Sequence, residues 1–333
     1  MNQNIRGKVK VKAAVIGAAG YAGGELLRLL LEHPMVEDLQ CISQSQEGLP
    51  LRSVHDDMYM YADKIFAGAL SPCDIVFLCG DHGQTQKLIE AHEVYSKTSR
   101  VIDLSHDFRD GKEGFVYGLS EVNGEEISGS TRIANPGCFA TSIQLALAPL
   151  ASQGLLQKTI HITALTGSTG AGQKLQKTSH FSQRNQNLSA YKVFDHQHLA
   201  EIERTLGRLQ GQTASPLPMP ELLFVPMRGP FTRGILTSLY TGCMASEDEL
   251  LALYQSYYRL APFVHVSAEE INLKSVVNTN HVRLSVQKHK GLVHIVSCLD
   301  NLLKGASGQA VQNMNLMMNW PADTGLHLKP VAY

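Results

Sequence analysis

The sequence predicts an α/β chain in two parts, a doubly wound parallel sheet followed by an α+β part on a mostly antiparallel sheet. Three observations carry this expectation. The apolar run Val11 to Ile16 leads into Gly17-Ala18-Ala19-Gly20-Tyr21-Ala22-Gly23-Gly24 and then into the helical spacing of Leu26, Leu27, Leu29, Leu30 and Leu31, which reads as strand, glycine turn, helix. Short apolar runs at 39–42, 74–79 and 100–104 then alternate with a helical stretch over 85–94, the rhythm of units feeding a parallel sheet. Beyond Cys138 an apolar helix over 139–151 precedes strand-like runs at 159–165, 222–225, 235–240, 282–286 and 293–298, with helical segments near 198–208 and 247–260, the pattern of an α+β domain.

The 333 residues are about twice the usual size of one domain. The expected division places a nucleotide-binding domain at 1–137 and a catalytic and oligomerisation domain at 138–304. A last helical segment from Gly305 returns, so that 305–333 completes the first domain, and a cleft is expected between the two. Hydrophobic residues at 44% and charged residues at 18% describe a packed core rather than a disordered chain. Lys+Arg 29 against Asp+Glu 30 leaves a formal charge of -1, without the basic footprint of a nucleic-acid or anionic-membrane binder. A small-molecule partner is expected instead. No apolar stretch approaches the roughly 18 residues of a membrane helix, and the polar, basic N-terminus is unlike a signal peptide, so the expected location is the cytoplasm. The six cysteines, at 41, 73, 79, 138, 243 and 298, contain no Cys-x-x-Cys pair, so neither a disulfide framework nor a metal site is expected.

Gly17-x-x-Gly20-x-x-Gly23 departs from the usual G-x-G-x-x-G spacing but sits between a strand and a helix, where that pattern belongs. Glycines there let a pyrophosphate approach the backbone and the helix N-terminus; a tight turn without ligand is the alternative. The second strand ends at Ser43-Gln44-Ser45 with no acid to bind a ribose 2′-hydroxyl and repel a 2′-phosphate, which favours NADP over NAD. Asn135-Pro136-Gly137-Cys138 precedes an apolar helix, so the thiol should lie at a helix N-terminus, whose dipole favours the thiolate. His196-Gln197-His198, with Glu201 following, sets two imidazoles at a helix start; on these residues alone a solvated surface pair fits as well. Arg109, Lys174 and Arg233 lie in polar or glycine-rich loops able to clamp an anion, and singly each also reads as surface charge.

Taken together, Gly17-Ala-Ala-Gly-Tyr-Ala-Gly23, Val101-Ile-Asp-Leu-Ser-His-Asp-Phe-Arg109, Val116-Tyr-Gly-Leu-Ser-Glu121, Asn135-Pro-Gly-Cys-Phe-Ala-Thr141, Thr166-Gly-Ser-Thr-Gly-Ala-Gly172, His196-Gln-His198-x-x-Glu-Ile202 and Asp300-Asn-Leu-Leu-Lys-Gly-Ala306 resemble the N-acetyl-γ-glutamyl-phosphate reductases of arginine biosynthesis along nearly the whole chain. The resemblance implies a Rossmann-type domain binding NADP at Gly17, Ala19, Gly20, Tyr21, Ala22 and Gly23, with Ser43 and Ser45 toward the adenosine end and Asn301 toward the nicotinamide. It implies Cys138 as nucleophile and His196 or His198 as manager of its proton and of the oxyanion. Arg109, Asn135, Glu201 and Arg233 become candidate substrate contacts, and a homodimer or homotetramer is expected. Two departures stand out: Gln173 intervenes before Lys174, and Met227-Arg228 replaces a commoner His-Leu. The extra cation Arg228 makes an N-succinyl substrate the alternative to N-acetyl, and aspartate-semialdehyde dehydrogenase is a further alternative.

Overall fold

The computed structural model describes residues 9–213 and 218–331. In chain order the elements are β1 (Val11–Ile16), α1 (Tyr21–Leu31), β2 (Val36–Ile42), β3 (Ile75–Leu78), α2 (Thr85–Ala91), α3 (Val94–Lys97), β4 (Val101–Asp103), β5 (Val116–Tyr117), α4 (Ser120–Ser128), β6 (Arg132–Ala134) and α5 (Cys138–Ser152). They continue with β7 (Ile160–Thr166), α6 (Phe181–Arg184), β8 (Ser189–Ala190), α7 (Leu199–Gly211), β9 (Leu222–Arg228), β10 (Ile235–Gly242), α8 (Glu247–Tyr257), β11 (Val264–Ser267), β12 (Val282–His289), β13 (Leu292–Leu299) and α9 (Gly308–Met317). The described residues form two compact units, one running up to Pro136 and resuming over Ala306–His327, the other spanning from Gly137 to Gly305 and resuming at Leu328.

In the first unit every strand pairing is parallel, in the order β2-β1-β3-β4-β6-β5. Its central strand β3 is buried along its whole length, as a parallel strand covered on both faces must be. Helix α9 belongs to this unit and is tied to it by polar side chains: Ser307 Oγ donates to the Ala22 carbonyl, Gln309 and Asn313 donate to the Gly118 carbonyl, and Asn315 meets His33. One expectation is corrected. The helical stretch 85–94 is not continuous, because His92 ends α2 and Glu93, at φ 51, turns left-handed before α3. A residue other than glycine in that conformation leaves no mark in the sequence pattern.

The second unit carries a seven-stranded sheet in the order β11-β12-β13-β10-β7-β9-β8. Its pairings are antiparallel except β11 with β12 and β7 with β9. Strands β7 and β10 alternate buried and part-exposed residues, and the buried rows face α5. That helix is buried from Phe139 to Ala151, because the sheet, α7 and α8 all pack on it, and its polar Ser142 and Gln144 side chains bond to the sheet and to α7. Pro149 inside α5 has no N–H for the Leu145 carbonyl; the Tyr258 hydroxyl donates to that carbonyl instead, at 2.5 Å, and the break is repaired by a neighbouring helix end. Before α9 the chain forms one π-turn at Leu303–Ser307. Among the described residues no helix is long and apolar enough to cross a membrane.

Candidate active site

In the first unit the glycine turn is built by close approach. Gly17 has φ +83, and a Cβ there would lie 2.5 Å from the Cys79 carbonyl oxygen; a Cβ at Gly23 would lie 2.4 Å from the Gly17 oxygen. Gly20 caps α1 without a side-chain bond, and no acidic residue stands in the first turn. The helix start therefore offers bare N–H groups and a positive dipole end, which fits a dinucleotide pyrophosphate. Ala19 and Ala22 are half-buried in this turn and Tyr21 is exposed at its edge. The sequence reading missed His55, which packs on Gly24 and bonds the Ala18 carbonyl at 2.9 Å, and only the three-dimensional contact reveals it. At the end of β2, Ser43 and Ser45 approach each other at 3.4 Å between hydroxyls, with no carboxylate at the strand end itself.

Two sequence candidates of this unit make internal bonds. The buried Arg109 donates from Nε to the Asn135 carbonyl and from Nη2 to the Leu104 carbonyl. Asn135, also buried, donates to the Ala306 carbonyl and accepts from Asn313 Nδ2, so its side chain ties α9 to β6.

The second unit brings Cys138, His196, His198 and Glu201 into one cluster. Cys138 is the first residue of α5, part-exposed, with Gly137 at the N-cap, no side-chain cap and no acidic residue in the first turn. The fifteen-residue helix aims its dipole at the thiol, which favours the thiolate. Burial pushes the thiols of Cys41 and Cys298 up to about 12 and of Cys73 to about 11, and raises Cys79 as well. None of the six cysteines is disulfide-bonded.

Glu201, 4% exposed, bridges the neighbours of the thiol. One carboxylate oxygen accepts from the Gly137 N–H at 3.1 Å, and the other stands 3.9 Å from His198 Nε2. His198 caps α7, and its own N–H donates to His196 Nδ1 at 3.2 Å. That bond leaves Nδ1 of His196 as an acceptor, so the neutral ring carries its proton on Nε2. Burial, helped by Lys192, lowers His196 to about 4, so the ring is neutral near pH 7. Phe139 holds both rings, 5.5 Å from His196 and 6.3 Å from His198 between centroids.

A second network closes behind the thiol. Asp300, fully buried, accepts from Arg233 Nε and Nη2 at 3.1 and 3.2 Å, and from the N–H groups of Asn278, Leu302 and Leu303. Asn301 accepts from the Gly234 N–H and donates to Thr169 Oγ1. Gly305 follows so closely that a Cβ on it would sit 2.8 Å from Cys138 Cβ. Lys174 stands apart on an exposed stretch. The sequence reading missed Asp300, Gly305 and Tyr191, the last meeting the His196 ring with centroids 5.9 Å apart. The Asp-Asn-Leu-Leu-Lys-Gly-Ala motif held a signal for the first two. Among the described residues no cluster of His, Cys, Asp and Glu could hold a metal ion.

A parallel-sheet unit with a bare glycine turn, and an α+β unit with a dipole-facing thiol beside two histidines, define a nicotinamide-nucleotide oxidoreductase class that works through a cysteine. Residues 12–130 match the family described as "Semialdehyde dehydrogenase, NAD binding domain", and residues 138–301 that described as "Semialdehyde dehydrogenase, dimerisation domain". Among solved structures, aspartate semialdehyde dehydrogenase II of Vibrio cholerae, complexed with ASA, superposes with a TM-score of 0.70 at 17% identity, covering 93% of this chain and 98% of that one. The Candida albicans aspartate semialdehyde dehydrogenase with NADP gives 0.70 at 16%, covering 93% and 99%. These likenesses show the fold. Curated N-acetyl-gamma-glutamyl-phosphate reductases are much nearer in sequence: that of Phocaeicola vulgatus is 46% identical over 327 residues and that of Flavobacterium johnsoniae 47% over 330, each covering 97% of this chain and 100% of the relative. The chain belongs to the N-acetyl-γ-glutamyl-phosphate reductase family of the semialdehyde dehydrogenases.

Proposed function

We propose that this chain catalyses the NADPH-dependent reductive dephosphorylation of N-acetyl-γ-glutamyl phosphate to N-acetyl-L-glutamate 5-semialdehyde and phosphate, through a thioester on Cys138. The observation that carries the reading is the thiol at the start of α5 with Glu201 bonded both to its preceding N–H and toward His198. A free carboxylate is too poor an electrophile to accept hydride, so the γ-carboxyl arrives as an acyl phosphate. In this reading the Cys138 proton passes to His198, and the Glu201 carboxylate steadies the imidazolium that forms. Sγ then attacks the γ-carbon, the carbon–oxygen bond to phosphate breaks, and a thioester remains. His196, neutral with its proton on Nε2, donates a hydrogen bond to the oxyanion of each tetrahedral species, alongside the N–H groups at the start of α5. When bound at Gly17–Gly23, the dinucleotide supplies the hydride that reduces the thioester carbonyl. His198 or solvent provides the proton on the resulting thiohemiacetal oxygen. Removal of that proton breaks the carbon–sulfur bond, releasing the aldehyde and restoring the thiolate.

The absence of an acidic residue in the 43–45 stretch supports NADP, and a nucleophile that works as a thiolate supports a reducing cytoplasmic setting. The family name "dimerisation domain" for 138–301 supports a homodimer or homotetramer. The test is the reverse reaction, with NADP, phosphate and N-acetylglutamate semialdehyde, read as NADPH absorbance. Cys138→Ser is expected to lose at least about 10³-fold in kcat. Faster turnover of aspartate semialdehyde than of the acylated aldehyde, or an unaffected Cys138→Ser enzyme, overturns the reading.

A further inference from the structure

Tyr191 was not singled out by any sequence motif, yet it lies at the heart of the catalytic unit. It follows the short strand β8, whose pairing with β9 sets Ser189 opposite Arg228 and Ala190 opposite Met227, and its N–H donates to the Pro226 carbonyl at 3.1 Å. The register delivers the phenol to Arg228. The guanidinium carbon stands 4.8 Å from the ring centroid. On its other side the ring meets His196 nearly edge-on, centroids 5.9 Å apart.

The pair is firmly built. Arg184, only 6% exposed, donates to the backbone carbonyls of Thr178, Asn187 and Arg228 and to Ser189 Oγ, so the backbone under Arg228 is clamped to the loop that leads to Tyr191. Burial first, and then the nearby Cys138 thiolate, push the phenol up to about 12, so the O–H stays protonated at neutral pH. Arg228 Nε is buried with no hydrogen-bond partner, and among the described residues no carboxylate pairs with this guanidinium. A half-buried cation and a protonated phenol thus converge beside the nucleophile with donors to spare, and such donors are costly to leave unmatched.

We propose that Arg228 and Tyr191 form a carboxylate-binding subsite beside Cys138, which holds a carboxylate of the acylated glutamyl substrate while its γ-carbon is presented to the thiol. The inference rests on the reaction proposed above. Arg228 supplies charge and a planar fork over the Tyr191 ring, and Tyr191 directs its O–H at the same anion. The phosphate is a poorer match for this pair: it leaves from the very carbon that Sγ attacks, so its donors belong at the helix start, whereas Arg228 is reached by way of the phenol.

The experiment varies aldehyde and phosphate separately in the reverse reaction, with wild type, Arg228→Ala, Arg228→Lys and Tyr191→Phe, each checked for folding by its melting temperature. The expected result is an aldehyde KM raised about tenfold or more in Arg228→Ala, and less in Arg228→Lys and Tyr191→Phe, with the phosphate KM within about threefold of wild type. Running N-acetyl and N-succinyl aldehydes side by side identifies the carboxylate: a shift with both assigns the α-carboxylate, and a shift with the succinyl compound alone assigns the distal acyl carboxylate. An unchanged aldehyde KM, or a shift that falls on phosphate, overturns the subsite. A second readout needs no turnover: N-succinylglutamate, which carries both candidate carboxylates, should protect Cys138 of the wild type from iodoacetamide, and Arg228→Ala should need about tenfold more of it. Wild type that does not turn over refutes the reaction, while the protection assay still judges the subsite; equal protection of both proteins, or none of the wild type, overturns it.

Discussion

The two histidines differ in what their surroundings let them do. His196 accepts from the His198 N–H and is lowered to about 4, first by burial and then by Lys192; its neutral form is therefore populated as pH rises above about 5, and its free Nε2–H serves the substrate as a donor. Replacing it by Asn, which keeps an N–H donor but not its reach, is expected to lower kcat by about 10²-fold. The pH dependence of kcat/KM near the ordinary histidine range of about 6.5 should stay as in wild type, because His196 does not titrate there. A limb in that range that vanishes in His196→Asn would falsify the assignment. His198 faces Glu201 at 3.9 Å, and Glu201→Gln, which can still accept from the Gly137 N–H, should lower kcat/KM by about 10–100-fold with little change in melting temperature. A large loss of stability with unchanged rate would mark Glu201 as a strut for the α5 start alone. Cys138 was legible in the sequence because Pro136-Gly137 before an apolar run marks a helix start. Tyr191 was not, because its place beside Arg228 comes from strand register, which no local pattern encodes.

At the level of elements, the start of α5 and the π-turn at 303–307 have to be considered as one piece. Gly305 donates its N–H to the Asp300 carbonyl, and a Cβ on it would lie 2.8 Å from Cys138 Cβ and 3.2 Å from the Asp300 oxygen, so the glycine is demanded by close approach. Gly305→Ala must push the helix start or the turn aside. The expected cost is about 1–3 kcal/mol of stability, read by denaturant unfolding, together with a fall in kcat larger than in the aldehyde KM, because the displaced atom is the nucleophile's own carbon. Wild-type stability and rate in this variant would show that the turn yields freely. The long elements were legible from periodicity, since α5, β7, β10, β12 and β13 each run long enough to repeat. Strands β5, β6, β8 and β11, of two to four residues, were not, because so short a run shows no period. Their positions follow from the neighbours they pair with, and β8 is the one that sets Tyr191.

For the whole molecule, the seven-stranded sheet poses the remaining physical question. Its helix-covered face is buried, while the opposite face carries Leu165, Val225, Met227, Leu236 and Val296 part-exposed and Tyr240 at 43% exposure. Register makes these neighbours: Leu165 lies opposite Leu236 and Met227, Thr163 opposite Val225, and Ser238 opposite Val296. An antiparallel sheet with a solvated face ordinarily alternates apolar inside and polar outside, and here the outer face sets large apolar side chains among Thr163, Ser238, His161 and His294. Part-exposed Leu, Val, Met and Tyr side chains grouped on one sheet face suit an association surface, and they lie within the segment matched by the dimerisation-domain family. Two copies packing face to face would bury these rows as a sheet sandwich buries its core. Leu236→Lys places a charge at the centre of that row without touching the active-site cluster or the buried face. Light scattering coupled to size exclusion is expected to give a multiple of the one-chain mass for wild type and a lower one for Leu236→Lys, with the far-ultraviolet spectrum retained. Because the same sheet carries β9, and with it Arg228, loss of the partner should also raise the aldehyde KM by loosening that strand. A Leu236→Lys protein with wild-type mass would move the interface to another surface, and a dissociated protein with wild-type KM would show that the outer face serves assembly alone.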